Sequence, residues 1–164
     1  MSHQPALIDG FEFAAAGAKQ QGVWAVGEFP RLRDMLANDA GEIRYEIDGV
    51  HDARGRPALR VRARGVLQLR CTRCLEPMRF EVDTDEMLVL AATQAEIDAE
   101  PADAGAPDRV LAAEEMPVRD LLEDELILAL PYAARHEGCE AGGESHGNER
   151  ISPFAGLRGM LRKH

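Results

Sequence analysis

The chain has 164 residues, 5% aromatic residues and a formal net charge of −10. That suits one domain with a core of Leu, Val, Ile and Met, and argues against generic polyanion binding. No stretch approaches the roughly 18 apolar residues of a membrane span, and Met1–Pro5 opens no secretory signal, so a cytoplasmic chain with reduced thiols is expected.

Asp9 followed by Glu12 predicts a capped helix running to about Gln21, stopped by Gly22. Val23–Phe29 reads as a short strand, and Pro30 opens a helix over Arg31–Ala37. Ile43–Val50 alternates, with Ile43, Tyr45 and Ile47 on one side and Arg44, Glu46 and Asp48 on the other. After a turn at His51–Gly55 comes the clearest strand. Val61, Ala63, Gly65, Leu67, Leu69 and Cys71 share one face, and Arg60, Arg62, Arg64, Gln68 and Arg70 share the other. Phe80, Val82 and Met87–Ala91 form the return strand. Thr93–Asp108 reads as a mobile acidic loop with little to bury.

Pro117 opens an acidic amphipathic helix over Val118–Leu130, its stripe formed by Val118, Leu121, Leu122, Leu126, Ala129 and Leu130. On that helix Arg119 and Glu123 are spaced as an i,i+4 pair on a solvated face, and Glu123-Asp124-Glu125 point in three directions. Glu140–Arg150 is polar and Gly-rich, and Ser152-Pro153 caps a short helix with Phe154, Leu157 and Leu161 on one stripe. The order of elements predicts an α+β fold: a mainly antiparallel sheet, a few short helices, and the acidic helix before the tail. Residues 1–139 are expected to form one domain, and 140–164 a flexible linker and a short docking helix that must pack on this core or a partner.

Charge is unevenly distributed. Between Arg54 and Arg79 lie eight arginines against Glu76 alone, whereas Glu81–Glu125 holds fifteen acids against Arg109 and Arg119. A local basic face can thus coexist with an acidic total, although codon bias also enriches arginine over lysine, 17 to 2.

Cys71 and Cys74 are two residues apart, and His136 and Cys139 repeat that spacing. Together they make a complete tetrahedral ligand set for structural Zn2+. The site requires Pro131–Cys139 to fold back on the Cys turn, and Leu75 stands where a zinc-knuckle turn usually has Gly. A redox Cys-x-x-Cys needs a helix N-terminus to lower its thiol pKa, which Pro77 and the extended Arg79–Val82 disfavour. Plain structural cysteines are the third reading. There is no phosphate loop, nucleophile elbow or Ser/His/Asp grouping, so no catalytic residues are named and no enzyme is expected. His51 and His146 read as surface histidines.

Four pieces, in order, carry a resemblance: Val66–Pro77, with its Leu-Arg-Cys-Thr-Arg-Cys-Leu-Glu-Pro, then Asp120–Pro131, then His136 and Cys139, then Pro153-Phe154-Ala155-Gly156-Leu157. Over about Gly22 to Leu161 the chain resembles the YceD family, bacterial proteins named for large ribosomal RNA subunit accumulation. The resemblance implies a non-enzymatic factor in synthesis, processing or stability of large-subunit (23S) rRNA, acting in ribosome biogenesis, with rRNA or a pre-ribosomal particle as partner. Arg60, Arg62, Arg64, Arg70 and Arg73 are the candidate rRNA contacts, because guanidinium groups pair with phosphate. Two other functions are open: an acidic module or chaperone for a basic large-subunit ribosomal protein, and a thiol oxidoreductase built on Cys71 and Cys74. No membrane or small-molecule substrate is expected.

Overall fold

The computed structural model describes residues 6–100 and 105–139. In chain order its elements are β1 (Leu7–Ile8), α1 (Gly10–Ala15), β2 (Lys19–Ala25), β3 (Glu42–His51), β4 (Pro57–Arg70), β5 (Pro77–Ala91), α2 (Gln94–Ala99), β6 (Asp108–Leu111), β7 (Met116–Pro117) and α3 (Val118–Ala129). Two 3-10 turns, Val26–Glu28 and Arg33–Met35, lie between β2 and β3. The main sheet has the order β2-β3-β4-β5-β6 and is antiparallel except that β6 runs parallel to β5, while β1 and β7 pair as a separate ribbon. The fold is α+β with a mainly antiparallel sheet, as the patterning predicts.

The alternation of β3 and β4 builds the core. Ile43, Tyr45 and Ile47 share the inner face with Leu59, Val61, Ala63, Leu67 and Leu69, all buried. α3 seats Val118, Leu122 and Leu126 in the same core, and α1 packs against β3 and β4. Each buried large aliphatic side chain is worth about 1.5–3 kcal/mol, so this shared layer, not intrinsic propensity, keeps the short helices folded. Close approach is needed at Gly49, where a Cβ would lie 2.1 Å from the Phe13 carbonyl oxygen.

Four local expectations change. The helix predicted to reach Gln21 ends at Ala15, because Gly17 turns left-handed (φ +58°) and Lys19 onward pairs with β3. Gly22 therefore stops no helix; it sits beneath Tyr45, whose ring carbon Cε1 would lie 2.8 Å from an added Cβ. The strand expected over Val23–Phe29 belongs to β2 only through Ala25, after which Val26–Glu28 form a 3-10 turn. Arg31–Ala37 forms only the single 3-10 turn, since the Ala37 amide donates to the Gln68 carbonyl and Leu36 bridges Leu69. Within the predicted loop 93–108, Gln94–Ala99 is helical, capped by Thr93 Oγ1 accepting from the Glu96 amide. The tail and its predicted helix at Ser152 lie outside the described residues. No described helix is long and apolar enough to cross a membrane.

On α3, Glu125 is only 6% exposed. Burial, then the charges of Glu86, Asp108 and Asp124, push its carboxyl up to about 7. A raised folded pKa adds stability that is complete below the ordinary value of 4.5 and lost as pH rises through about 7. Glu125→Gln should therefore raise the melting temperature at about pH 8 relative to wild type and do little at about pH 4. Equal shifts at both pH values in thermal melts would contradict this.

Candidate metal centre and arginine face

The inner-face parity that buries Leu67 and Leu69 delivers Cys71, fully buried, at the end of β4. The turn to β5 then closes on itself. Leu75 N–H donates to the Cys71 carbonyl at 3.0 Å, and Cys71 N–H donates to the Glu76 carbonyl at 3.0 Å. Leu75 has φ +65°, the only non-Gly residue described with a positive φ. The turn therefore keeps the left-handed position that Gly usually fills in a knuckle, at a strain cost of about 1 kcal/mol or more.

The second half arrives from α3. After Pro131 the chain lies across the turn, with the Thr72 amide donating to the Ala134 carbonyl and Arg73 Nη1 to the Cys139 carbonyl at 2.6 Å. Gly138, at φ +72°, turns Cys139 inward. The outcome is one cluster: the ligand atoms of Cys71, Cys74, His136 and Cys139 all lie within 4.8 Å of one another. Cys71 Sγ is 3.9 Å from Cys139 Sγ, and Cys74 Sγ is 3.5 Å from His136 Nδ1.

Those distances can be tested against a metal. A tetrahedral ion with Zn–S of about 2.3 Å and Zn–N of about 2.0–2.1 Å separates two sulfurs by roughly 3.8 Å and sulfur from nitrogen by roughly 3.5 Å. Both edges match, so the residues fit zinc. The imidazole is also oriented for it. His136 Nε2 is 3.0 Å from the Pro77 carbonyl, to which it can only donate, so Nδ1 is left facing the sulfurs. The Pro77 carbonyl, then Cys71, raise the imidazole pKa.

The thiols differ in environment. Backbone amides of Cys74 and Arg73 hold Cys71 down to about 5 against the opposing effect of burial. Burial, then the neighbouring Cys74 and Cys71, push Cys139 up to about 11. Backbone donors are the chief support of the Cys71 thiolate; a set of thiolates calls for a cation.

Arg60, Arg62, Arg64 and Arg70 share the outer face of β4 and Arg73 lies in the turn beyond it, and their environments divide them. Arg60 makes a two-pronged pair with Asp85, at 2.7 and 2.6 Å, and holds that carboxyl below its usual range. Arg62 binds Glu46 at 2.8 Å and also Asp48, which Lys19 approaches at 3.1 Å. Arg64 meets Asp83 at 2.8 Å. The arginine row of β4 is thus flanked by acids of β3 and β5. Arg70 is exposed and makes no ion pair among the described residues, while Arg73 is tied to the Cys139 carbonyl. Arg44, not singled out from the sequence, stands directly opposite Arg64 with no carboxylate partner among the described residues.

The i,i+4 pair of Arg119 and Glu123 does not form. Glu123 is fully buried and instead accepts from the amides of Arg31 (2.6 Å) and Leu32 (3.0 Å) and from Arg31 Nε (2.9 Å).

A family model described as large ribosomal RNA subunit accumulation protein YceD matches residues 59–161, a span that contains β4 from Leu59 onward, β5, all four cluster residues and α3. No solved structure matches the chain.

Proposed function

The chain belongs to the YceD family, and from that premise we propose that it is a non-catalytic factor promoting accumulation of large-subunit rRNA by binding the RNA or a pre-ribosomal particle. The observation that carries this reading is the family match over residues 59–161. In it, Zn2+ held by Cys71, Cys74, His136 and Cys139 has a structural role: four protein ligands leave no open position for chemistry, and the ion staples the β4–β5 turn to the segment after α3. Arg70 and Arg73 stand beside that staple, so the metal would fix the position of two cationic side chains.

Arg60, Arg62 and Arg64 contribute less direct affinity in this scheme, since each already neutralises a carboxylate and a phosphate must compete with it. Charge reversal at Arg70, Arg70→Glu, is expected to reduce co-sedimentation of the protein with large-subunit precursors severalfold on a gradient, more steeply at low salt. A wild-type protein that stays at the top of the gradient, and that binds no free rRNA, would refute the reading.

A second reading rests on the like-charged surroundings of Glu125, with Glu86, Asp108 and Asp124 around it. That acidic side suits a basic ribosomal protein, shielded until rRNA arrives. Pull-down against isolated large-subunit proteins and against naked rRNA separates the two; capture of the RNA alone removes the second. A thiol oxidoreductase fits less well, because Cys71 and Cys74 precede a strand, not a helix N-terminus.

A further inference from the structure

We propose that the outer face of the sheet carries a binding site for one unpaired ribonucleotide, centred on Arg44 and Glu42. The proposal deepens the rRNA reading and rests on it. The sheet forms a concavity of about 650 Å³ there, lined in part by Val23, Glu42, Arg44, Arg62, Arg64 and Val66. That volume is in the range of small-ligand sites, and the lining combines apolar walls with a few polar groups.

The charges on this wall are not arranged for folding stability. Arg44 and Arg64 are directly opposite each other across β3 and β4, a like-charge juxtaposition that costs stability unless an anion screens it. Arg64 has Asp83 on its other side, but the cross-strand neighbour of Arg44 on β2 is Val23. Arg62 spends its terminal nitrogen on Glu46 and Asp48 and leaves Nε buried without an acceptor among the described residues. Glu42, exposed at the end of β3, also forms no ion pair among the described residues. One wall therefore offers a guanidinium, and two residues along the same strand face a carboxylate, neither ion-paired among the described residues.

A phosphate alone would meet that carboxylate and be repelled. A ribonucleotide satisfies both: its phosphate takes Arg44, its 2′-hydroxyl donates to Glu42, and Val23 and Val66 give the sugar and base an apolar surface. The site also continues the surface already described. Arg70 lies on the same outer face, six residues beyond Arg64, or about 20 Å at roughly 3.3 Å per residue. An extended RNA strand can thus run from the β4–β5 turn to this concavity.

The test uses the full-length protein and labelled oligouridylate, with oligodeoxyuridylate of equal length, read by fluorescence anisotropy across a salt series. Arg44→Glu should weaken oligouridylate binding about tenfold and lower the salt slope by about one. Glu42→Ala supplies the stronger discrimination. Removing a negative charge should improve generic anion binding, yet here it should weaken the ribo-oligomer severalfold and erase its preference over the deoxy-oligomer. Arg54→Glu, at the β3–β4 turn, is the matched charge reversal away from the site and should change neither.

The site is overturned if oligouridylate does not bind, if Arg44→Glu weakens it no more than Arg54→Glu, or if Glu42→Ala tightens it. If wild type and Arg44→Glu then co-sediment equally with large-subunit precursors, this site fails while the rRNA reading stands. Absence of wild type from precursors and from free rRNA defeats the reading itself.

Discussion

Replacing Cys71 with serine is expected to abolish binding of one zinc equivalent per chain and to lower the melting temperature by roughly 10 °C. The size of the effect follows from what the four ligands join. Cys71 and Cys74 close a turn between two long strands, and His136 and Cys139 come from the other side of α3, more than sixty residues later. A cross-link of that span restrains the unfolded chain strongly and supplies the folded one with coordination bonds. Around the cluster few other forces act: Cys74 is exposed, His136 and Cys139 are half-buried, and the contacts between the halves are a handful of hydrogen bonds. The apolar core does not reach Pro131–Cys139 except through Ala134. Without the ion, two or three sulfurs at contact distance hold the segment only weakly. Metal analysis of wild type and Cys71→Ser, with thermal melts before and after chelation, checks this. A wild-type melt indifferent to chelator, with no zinc in the purified protein, would return the cysteines to plain packing residues.

The sequence makes the sheet legible where a single force decides, and misleads where two compete. β3 and β4 are readable because one face is buried and the other wet, so apolar and polar residues must alternate. Lys19–Gly22 is not, because it is an edge strand with weak alternation, and the capped start at Asp9 invites an extended helix that β3 pairing cuts short. The helix at Gln94 had a signal in Thr93-Gln94-Ala95-Glu96, a box in which Glu96 also accepts from the Ala92 amide, but an Ala- and acid-rich composition masks it. The Cys/His cluster is visible as two matching spacings; what spacing cannot say is that α3 returns His136 to the turn. The arginine face was visible as a row, whereas its neutralisation depends on register: Arg60 meets Asp85 and Arg64 meets Asp83 only once β5 is aligned. The same blindness hid Arg44, whose distinction is the absence of an acid opposite it.

Glu123→Ala should cost roughly 1–3 kcal/mol, chiefly by leaving buried amides without an acceptor. Periodicity places Glu123 beside Arg119 on a wet helix face, yet its side chain is fully buried and gathers three donors from a loop ninety residues away in sequence. The Leu32 amide is buried with it, so truncation strands that donor, whereas the half-exposed Arg31 guanidinium keeps Asp124 and the Asp120 carbonyl. Asp124→Ala is the informative comparison, because Asp124 also binds Arg31 at 2.5 Å but is more than half exposed, where an ion pair is worth about 0–1 kcal/mol. Urea unfolding of both variants gives the difference directly, and comparable losses would mean that burial at Glu123 is not what matters. The tie also sets the course of α3, which leads into the segment carrying His136 and Cys139. Glu123 is therefore a positioning residue for the Cys/His cluster, and zinc-loaded Glu123→Ala should lose the ion to a competing chelator faster than wild type at temperatures where both remain folded. Unchanged zinc release, in a variant destabilised as expected, would confine its role to the core and leave the β4–β5 turn to organise the centre alone.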